Sequence, residues 1–555
     1  MNSISRRQFL SGGFQTAAGL AVVGGMGGLV AACGGGSNAG GSGSSSGEVS
    51  GRTSTTPRRG GTLRVGVNSD FNSFAPPTGQ FDANGLMYAA TVFDALMFID
   101  ANGDAQPYLC QSMTPNAEQN VFTMTLRPGV VFHDGTPLTS AEVVGAIRAV
   151  QQAVLTGPAL LNLDTVKAQD AMTVVFTTKT PWPAFPLYLT GQLGYIASPK
   201  TLSDPKGGLH PVGTGPFVFD AWVPGSYFHA KANPNYWRKG LPYVDRVEYS
   251  TIPSVVSLEQ SLLAGTIDVM TSGDSINLHD LMGNSSVQYV TDADSHLGEP
   301  NMGMTMCNTE AAPVSDLRVR QAMAYGFNID LYQKVHNFGL YPPAYGLFPG
   351  NPDYAKTNAM YPRYDQARAK ALVQDYEKDK GPLKIEYATT SDPRNAETAQ
   401  FLQQQYKDIG IDVTIKTVEQ VQLITDALLG QYQTTAWAQF AAPTPDSNYV
   451  WWSIPTSAPI GQSSLNFARN KDPLVQAALE KGRTSLNKAD RIAAYNTVNE
   501  RFAKDLPYLF GYKIVTACYT RKNVQNFNGL NLPDGSPALS FTSGIFYPMC
   551  TWLSA

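Results

Sequence analysis

The stretch Leu126-Arg127-Pro128-Gly129-Val130-Val131-Phe132-His133-Asp134-Gly135-Thr136-Pro137-Leu138-Thr139 governs the reading of this chain. Thr123-Met124-Thr125-Leu126 alternates as a strand does. Pro128-Gly129 then supplies the fixed φ and the permissive φ of a tight turn. Val130-Val131-Phe132 is expected to resume the strand before His133-Asp134-Gly135-Thr136-Pro137 turns the chain again. Thr139-Ser140-Ala141-Glu142 reads as a capping box, in which the Thr139 hydroxyl and the Glu142 carboxylate satisfy free N–H groups at the start of a helix running to about Ala153.

Outward from this segment, strands and helices alternate. Leu63, Val65 and Val67 open the body as a strand, and Pro242 to Tyr249 reads as another. Val255 to Leu263 reads as a helix closed by Gly265, followed by the strand Ile267 to Met270. Leu383–Tyr387, Asn395–Ile409 and Ile411–Thr417 make a βαβ unit, with Ala399, Leu402, Tyr406 and Ile409 on one helical face. The expectation is two α/β lobes with mixed sheets, joined by crossings near His296–Cys307 and Ile514–Tyr519 that act as a hinge.

A chain of 555 residues, 43% apolar and 15% charged, has ample material for more than one core. Its net charge of -4 carries no nucleic-acid footprint. At the N-terminus, Arg6 and Arg7 precede an apolar, Gly/Ala-rich stretch that ends in Val30-Ala31-Ala32-Cys33. This resembles a twin-arginine export signal followed by a lipobox, which implies removal of residues 1–32 and a lipid on Cys33. Residues 33–60 are rich in Gly and Ser and read as a flexible tether, about 27 residues spanning roughly 30 Å. Cys110, Cys307, Cys518 and Cys550 remain in the body, and an oxidising destination permits any of three pairings.

The segment from Leu126 to Thr139 resembles the signature of family 5 extracellular solute-binding proteins, the peptide- and nickel-binding type. Gly213-Thr214-Gly215-Pro216-Phe217, Asn233-Pro234-Asn235-Tyr236-Trp237, Gly265-Thr266-Ile267-Asp268 and Asp316-Leu317-Arg318-Val319-Arg320-Gln321-Ala322 match in the same order. The resemblance implies a two-lobe periplasmic-binding-protein clamshell, type II, cluster C, with a small domain inserted in lobe one. The boundaries are then 61–300 for lobe one, with the insertion around 95–210, 301–515 for lobe two, and 516–555 for the return to lobe one. It further implies a monomer that captures a small solute, most often a di- or oligopeptide, and delivers it to the permease and ATPase of an ABC importer at the outer face of the cytoplasmic membrane. A saccharide, another organic molecule, a nickel or haem chelate, or a sensor or scaffold role without transport are the alternatives.

The motifs themselves give no enzyme. Gly213-Thr214-Gly215-Pro216 lacks the following Lys-Ser/Thr of a phosphate loop and leads into Phe217-Val218-Phe219, so it reads as a turn. His133-Asp134 belongs to turn chemistry, and Asp316 suits the N-cap of a packed helix whose arginines face solvent. The six histidines show no metal-binding spacing, no Cys-x-x-Cys occurs, and no Gly-x-Ser-x-Gly elbow occurs. No cofactor or metal is expected.

Candidate solute contacts come from the aromatic-rich part of lobe two: Trp437, Gln439, Phe440, Asp446, Asn448 and Tyr449, with Trp451 and Trp452 beside them. In peptide-binding relatives the tryptophan matching Trp437 lines the pocket, and an aspartate three residues later pairs with the peptide's amine. Phe440 stands in that place, leaving Asp446 or Asp82 as candidate substitutes. On lobe one, Phe81 and Asp82 lie where relatives present an edge to the ligand backbone.

Overall fold

The structure, a computed structural model, describes every residue except 1–48, 54, 155, 296, 298–300, 355–359, 440, 441 and 555. Arg6, Arg7, Cys33 and Phe440 therefore lie outside the described residues.

Strand β1 (Thr62–Val67) buries Leu63, Val65 and Val67 completely, the alternation visible in the sequence. The chain then forms helix α1 (Ala83–Val92) and a small sheet from β2 (Cys110–Pro115), β3 (Val121–Leu126), β4 (Leu163–Ala168) and β5 (Thr173–Thr178). Helix α2 (Ser140–Gln152) packs on this sheet, and its capping box is present as read, Glu142 accepting from the Thr139 N–H at 2.9 Å. The first large sheet is completed by β6 (Phe217–Val223), β7 (Tyr227–Ala232), β8 (Arg246–Thr251), β9 (Val269–Ser272) and β10 (Val287–Thr291). Between β8 and β9 runs α3 (Val255–Ala264), closed by Gly265 at φ 78°, as its sequence indicated.

Past a first crossing come β11 (Met302–Cys307), α4 (Leu317–Gly326), β12 (Lys384–Thr390), α5 (Pro393–Asp408), β13 (Asp412–Val418), β14 (Thr434–Gln439), α6 (Pro473–Thr484) and β15 (Tyr508–Lys513). After the second crossing, β16 (Ala517–Arg521) rejoins the first sheet. The first sheet has the order β10-β16-β9-β1-β8-β7-β6, with β1 parallel to both β8 and β9. The second has the order β13-β12-β14-β11-β15, with β12 parallel to β13 and β14. The small sheet, β2-β3-β5-β4, is wholly antiparallel and has its own core around Phe122, Phe176 and Trp182.

The crossings are shorter than the sequence suggested, because Met302–Cys307 is already a fully buried strand of the second sheet and Ala517 a strand residue of the first. What remains among the described residues, 292–295, 297 and 301 with 514–516, is stitched together. The Thr516 N–H and hydroxyl donate to the Asp292 carboxylate at 2.7 and 2.6 Å, and the Ile514 N–H donates to Asn301 O at 2.9 Å. The buried Lys513 ammonium donates to the carbonyls of Asp292, Ala293 and Ser295 at 3.3, 2.7 and 3.0 Å. Two adjacent, mutually bonded crossings let rotation concentrate in a few residues while each sheet stays rigid.

Three expectations need correction. Val130–Phe132 does not resume the strand and makes only the bridge Val131–Pro137. The arginines of α4 do not both face solvent: Arg320 is buried and donates to the carbonyls of Asp505, Val314 and Ser315. The stretch from Val49 to Gly60, read as tether, lies along lobe one: the Val49 N–H donates to Tyr289 O at 3.0 Å, and Arg52 reaches Asn531 Oδ1 at 3.2 Å. It thus runs beside β10, an edge strand of the first sheet, whose open carbonyls invite a covering segment. On the pairing that the sequence left open, Cys110, Cys307, Cys518 and Cys550 are all free and buried in three separate cores.

The signature segment docks onto the Gly-rich turn. The His133 N–H donates to Gly213 O at 2.8 Å, and its ring Nε2 sits 3.0 Å from Gly215 O. A Cβ on Gly213 would stand 2.2 Å from Val92 O, so only glycine permits this approach. Beneath it Asp94, nearly inaccessible, accepts from Trp237 Nε1 at 2.8 Å, Tyr236 OH at 2.9 Å and Thr214 Oγ1 at 3.2 Å. Burial outweighs these donors and pushes the Asp94 carboxyl up to about 6. The folded state then holds a proton that the unfolded chain releases near pH 4, so stability from this group is present at low pH and lost as pH rises through about 6. Between pH 4.5 and 7, Asp94 is expected to cost about 2 kcal/mol. Urea unfolding at pH 4.5 and 7 checks this: the Asp94→Asn variant should lose that share of the pH dependence, and an unchanged dependence would refute it.

Candidate functional site

The parallel strands of the first sheet end at Val67, Thr251 and Ser272, those of the second at Thr390, Val418 and Gln439. These carboxyl ends are brought together, since Arg394, just past β12, donates to Ser275 Oγ just past β9, as well as to His336 O and Asn337 Oδ1 at 2.7 Å. Ligands of open α/β sheets bind outside such carboxyl ends. The loops that follow them therefore form the candidate site, beside the two crossings.

On lobe one the loop after β1 carries Phe81 and Asp82. Phe81 is half-buried, its ring 5.6 Å from Phe71 and 6.4 Å from Tyr195. The loop is pinned to the small-sheet subdomain by Gln192 Nε2, which donates to Gly79 O at 2.7 Å and Pro76 O at 2.9 Å. Asp82 is the N-cap of α1, accepting from the Gly85 N–H at 2.8 Å and the Ser69 hydroxyl at 3.1 Å. Its residue surface is exposed, yet surrounding protein raises the carboxyl above its ordinary range.

On lobe two Trp437 is half-buried at the end of β14 and packs edge-on against Phe467 at 5.3 Å, with Trp451 against the same ring at 5.4 Å. Trp437 and Trp451 are each only half-buried, so this aromatic wall keeps open surface of its own. Gln439 and Asn448 are nearly inaccessible and bond to each other at 2.5 Å, so they brace this wall from beneath.

Asp446 is not placed to meet a solute. It is 1% exposed, and its carboxylate receives Arg483 Nε at 2.8 Å, Trp182 Nε1 at 2.6 Å, Tyr188 OH at 2.9 Å and Tyr495 OH at 3.3 Å. A carboxylate offers about four lone-pair sites, and all are taken. Tyr449 belongs to the same cluster: Arg483 lies 3.7 Å over its ring, and its hydroxyl bonds Glu480. The expectation that Asp446, Gln439 and Asn448 contact the ligand is therefore corrected, since all three are buried with their polar groups bonded within the protein, whereas Tyr449 stays half-exposed. Of the two carboxylates considered as substitutes, Asp82 is exposed and Asp446 is not.

Sequence reading missed Trp182, Tyr188 and Arg483. A signal for Arg483 exists, since Val475, Leu479 and Arg483 recur every four residues on the buried face of α6. A cation on a core face demands a buried counter-charge. Trp182 and Tyr188 carry no comparable local mark. A separate surface cavity of about 510 Å³, lined by Ile329, Lys334, Tyr345 and Tyr364 among others, lies wholly on lobe two and so is not the site between lobes.

Comparison with known proteins was made against this geometry. Residues 104–459 match the family described as bacterial extracellular solute-binding proteins, family 5 Middle. The chain is 24% identical over 458 residues to the glutathione-binding protein GsiB of Pectobacterium atrosepticum, covering 80% of this chain and 87% of that protein. Its fold is similar to that of AgaA from A. tumefaciens R10 in complex with agropinic acid, with a TM-score of 0.76 at 23% identity over 89% of this chain and 99% of that one. It is equally similar to DppA from Helicobacter pylori in complex with the peptide STSA, with a TM-score of 0.76 at 23% identity over 90% and 99% of the two chains. These neighbours are type II clamshells of cluster C, the architecture expected from the sequence.

Proposed function

Because the chain belongs to the family 5 extracellular solute-binding proteins of ABC importers, we propose that it captures a short peptide by closing its lobes and delivers it, as a monomer, to a permease driven by an ATPase. The observation that carries the ligand class is the pairing of an open carboxylate, Asp82, on one lobe with the aromatic wall at Trp437 on the other. An exposed carboxylate suits an ammonium group, and an indole face suits the apolar or planar remainder of a small solute. The names of GsiB and of the DppA complex, a glutathione binder and a peptide binder, support this reading. Ligand that binds both lobes shifts an open-closed equilibrium by its preference for the closed state, with no covalent step required.

The test is native mass spectrometry of the body without residues 1–33, purified from its own host. A ladder of peptide masses, or a glutathione-like thiol peptide, supports the proposal. A single non-peptide mass, of the kind the AgaA complex with agropinic acid exemplifies, overturns the peptide class. With the solute in hand, Asp82→Asn is expected to weaken an amine-bearing ligand by roughly ten- to a hundredfold in calorimetry, since a hydrogen bond to a charged group is lost. Asn keeps the N-cap, so the unfolding midpoint should hold. Unchanged affinity would remove Asp82 from the site.

We propose further that Arg6-Arg7 directs export and that Cys33 carries the lipid that holds the protein on the outer face of the cytoplasmic membrane. Among the described residues no helix is long and apolar enough to cross a membrane. Cys33→Ala is expected to abolish incorporation of labelled palmitate and to move the protein from the membrane fraction to the soluble one. Retention on the membrane would argue against the anchor.

A further inference from the structure

The Asp446 cluster joins two bodies. Trp182 and Tyr188 belong to the small-sheet subdomain, while Asp446, Arg483 and Tyr495 belong to lobe two. The subdomain is fastened to lobe one: the Ile196 N–H donates to Asp94 O at 3.3 Å, the His133 N–H to Gly213 O at 2.8 Å, and Gln192 Nε2 to Gly79 O at 2.7 Å. Toward lobe two it presents the two donors that reach Asp446 and the short helical turn Gly157–Leu160, which packs on Tyr449–Trp452. Rotation of lobe one about the crossings would carry Trp182 and Tyr188 away from Asp446. Arg483 and Tyr495 would stay with it.

We infer that Trp182 and Tyr188 form a latch on Asp446 that engages only when the lobes are closed and holds the cleft shut without touching the solute. Three features of the cluster suit that task. The Arg483 guanidinium, packed 3.7 Å over the Tyr449 ring, fixes the carboxylate in place, so the acceptor is aimed before the donors arrive. Both donors are neutral, so parting them from Asp446 strands no charge, and the Asp446–Arg483 pair persists in the open form. Burial, followed by the Asp446 charge, holds the Tyr188 hydroxyl protonated far above neutral pH, which keeps it a donor. Hydrogen bonds to a charged acceptor are the stronger kind, so each donor biases the equilibrium appreciably. Trp182 and Tyr188 are thus positioning residues: they set solute affinity through the closed population.

The inference rests on the reading of capture by lobe closure, and its test needs no solute. Small-angle X-ray scattering and amide hydrogen exchange are measured on the protein freed of bound solute, as wild type, as Tyr188→Phe, and as the double variant Trp182→Phe/Tyr188→Phe. Phenylalanine keeps an aromatic ring at each place and deletes the donor. The closed-to-open ratio should fall roughly tenfold for each donor removed. That fall would appear as a larger radius of gyration and faster exchange in Pro445–Trp452, while exchange within the first sheet stays unchanged. Tyr188→Phe alone, the smaller change, keeps the test informative if the double variant folds poorly. Identical scattering and exchange in wild type and a folded Tyr188→Phe variant would overturn the latch and make the contact a static interface. A failure of the capture proposal would show separately, as no solute in native mass spectrometry.

Discussion

Arg483→Met should lower the unfolding free energy by about 3 to 5 kcal/mol, the usual cost of removing one partner from a buried ion pair. The arginine side chain is 8% exposed and its aspartate 2%, so water cannot replace the guanidinium. Methionine fills much of the same volume, and Asp446 would then face only the neutral donors Trp182, Tyr188 and Tyr495. The double variant Arg483→Met/Asp446→Leu should recover most of the loss, because an apolar pair of similar size often matches a buried ion pair in stability. Urea unfolding of the three proteins measures both effects. A loss under about 1 kcal/mol in the single variant would mean that Asp446 reaches solvent.

Lys513→Met should cost about 3 kcal/mol, because one buried ammonium serves three carbonyls of the first crossing and hydrogen bonds to charged groups are the costly ones to lose. The stem of methionine preserves packing against the second sheet, so the change isolates the polar contacts. Hydrogen exchange should rise selectively in residues 292–301 and 514–516. Protection that fell evenly over lobe two would instead mark Lys513 as a core residue with no special part in the hinge.

Much of the fold was legible. The capping box at Thr139, the alternation in Thr62–Val67, the Gly265 stop and the βαβ unit of β12, α5 and β13 each depend on chemistry within a few residues. The turn reading of Gly213–Pro216 was sound for a reason the sequence did not show, the backbone of Val92 pressing against both glycines. The candidate site was legible only in part. Trp437 is half-buried and Asp82 exposed, but Asp446, equally plausible as a carboxylate among aromatics, turned out to be saturated.

The sequence by itself determined the family, the α/β elements and the positions of their caps and turns, because these follow from local periodicity and side-chain-to-backbone bonding. Only the tertiary structure decided which carboxylate remains free. Asp446 meets Trp182 across 264 residues of sequence and Arg483 across 37, contacts that no local pattern encodes. Whether a charge is available to a ligand depends on who already surrounds it, and that is a property of packing rather than of spacing.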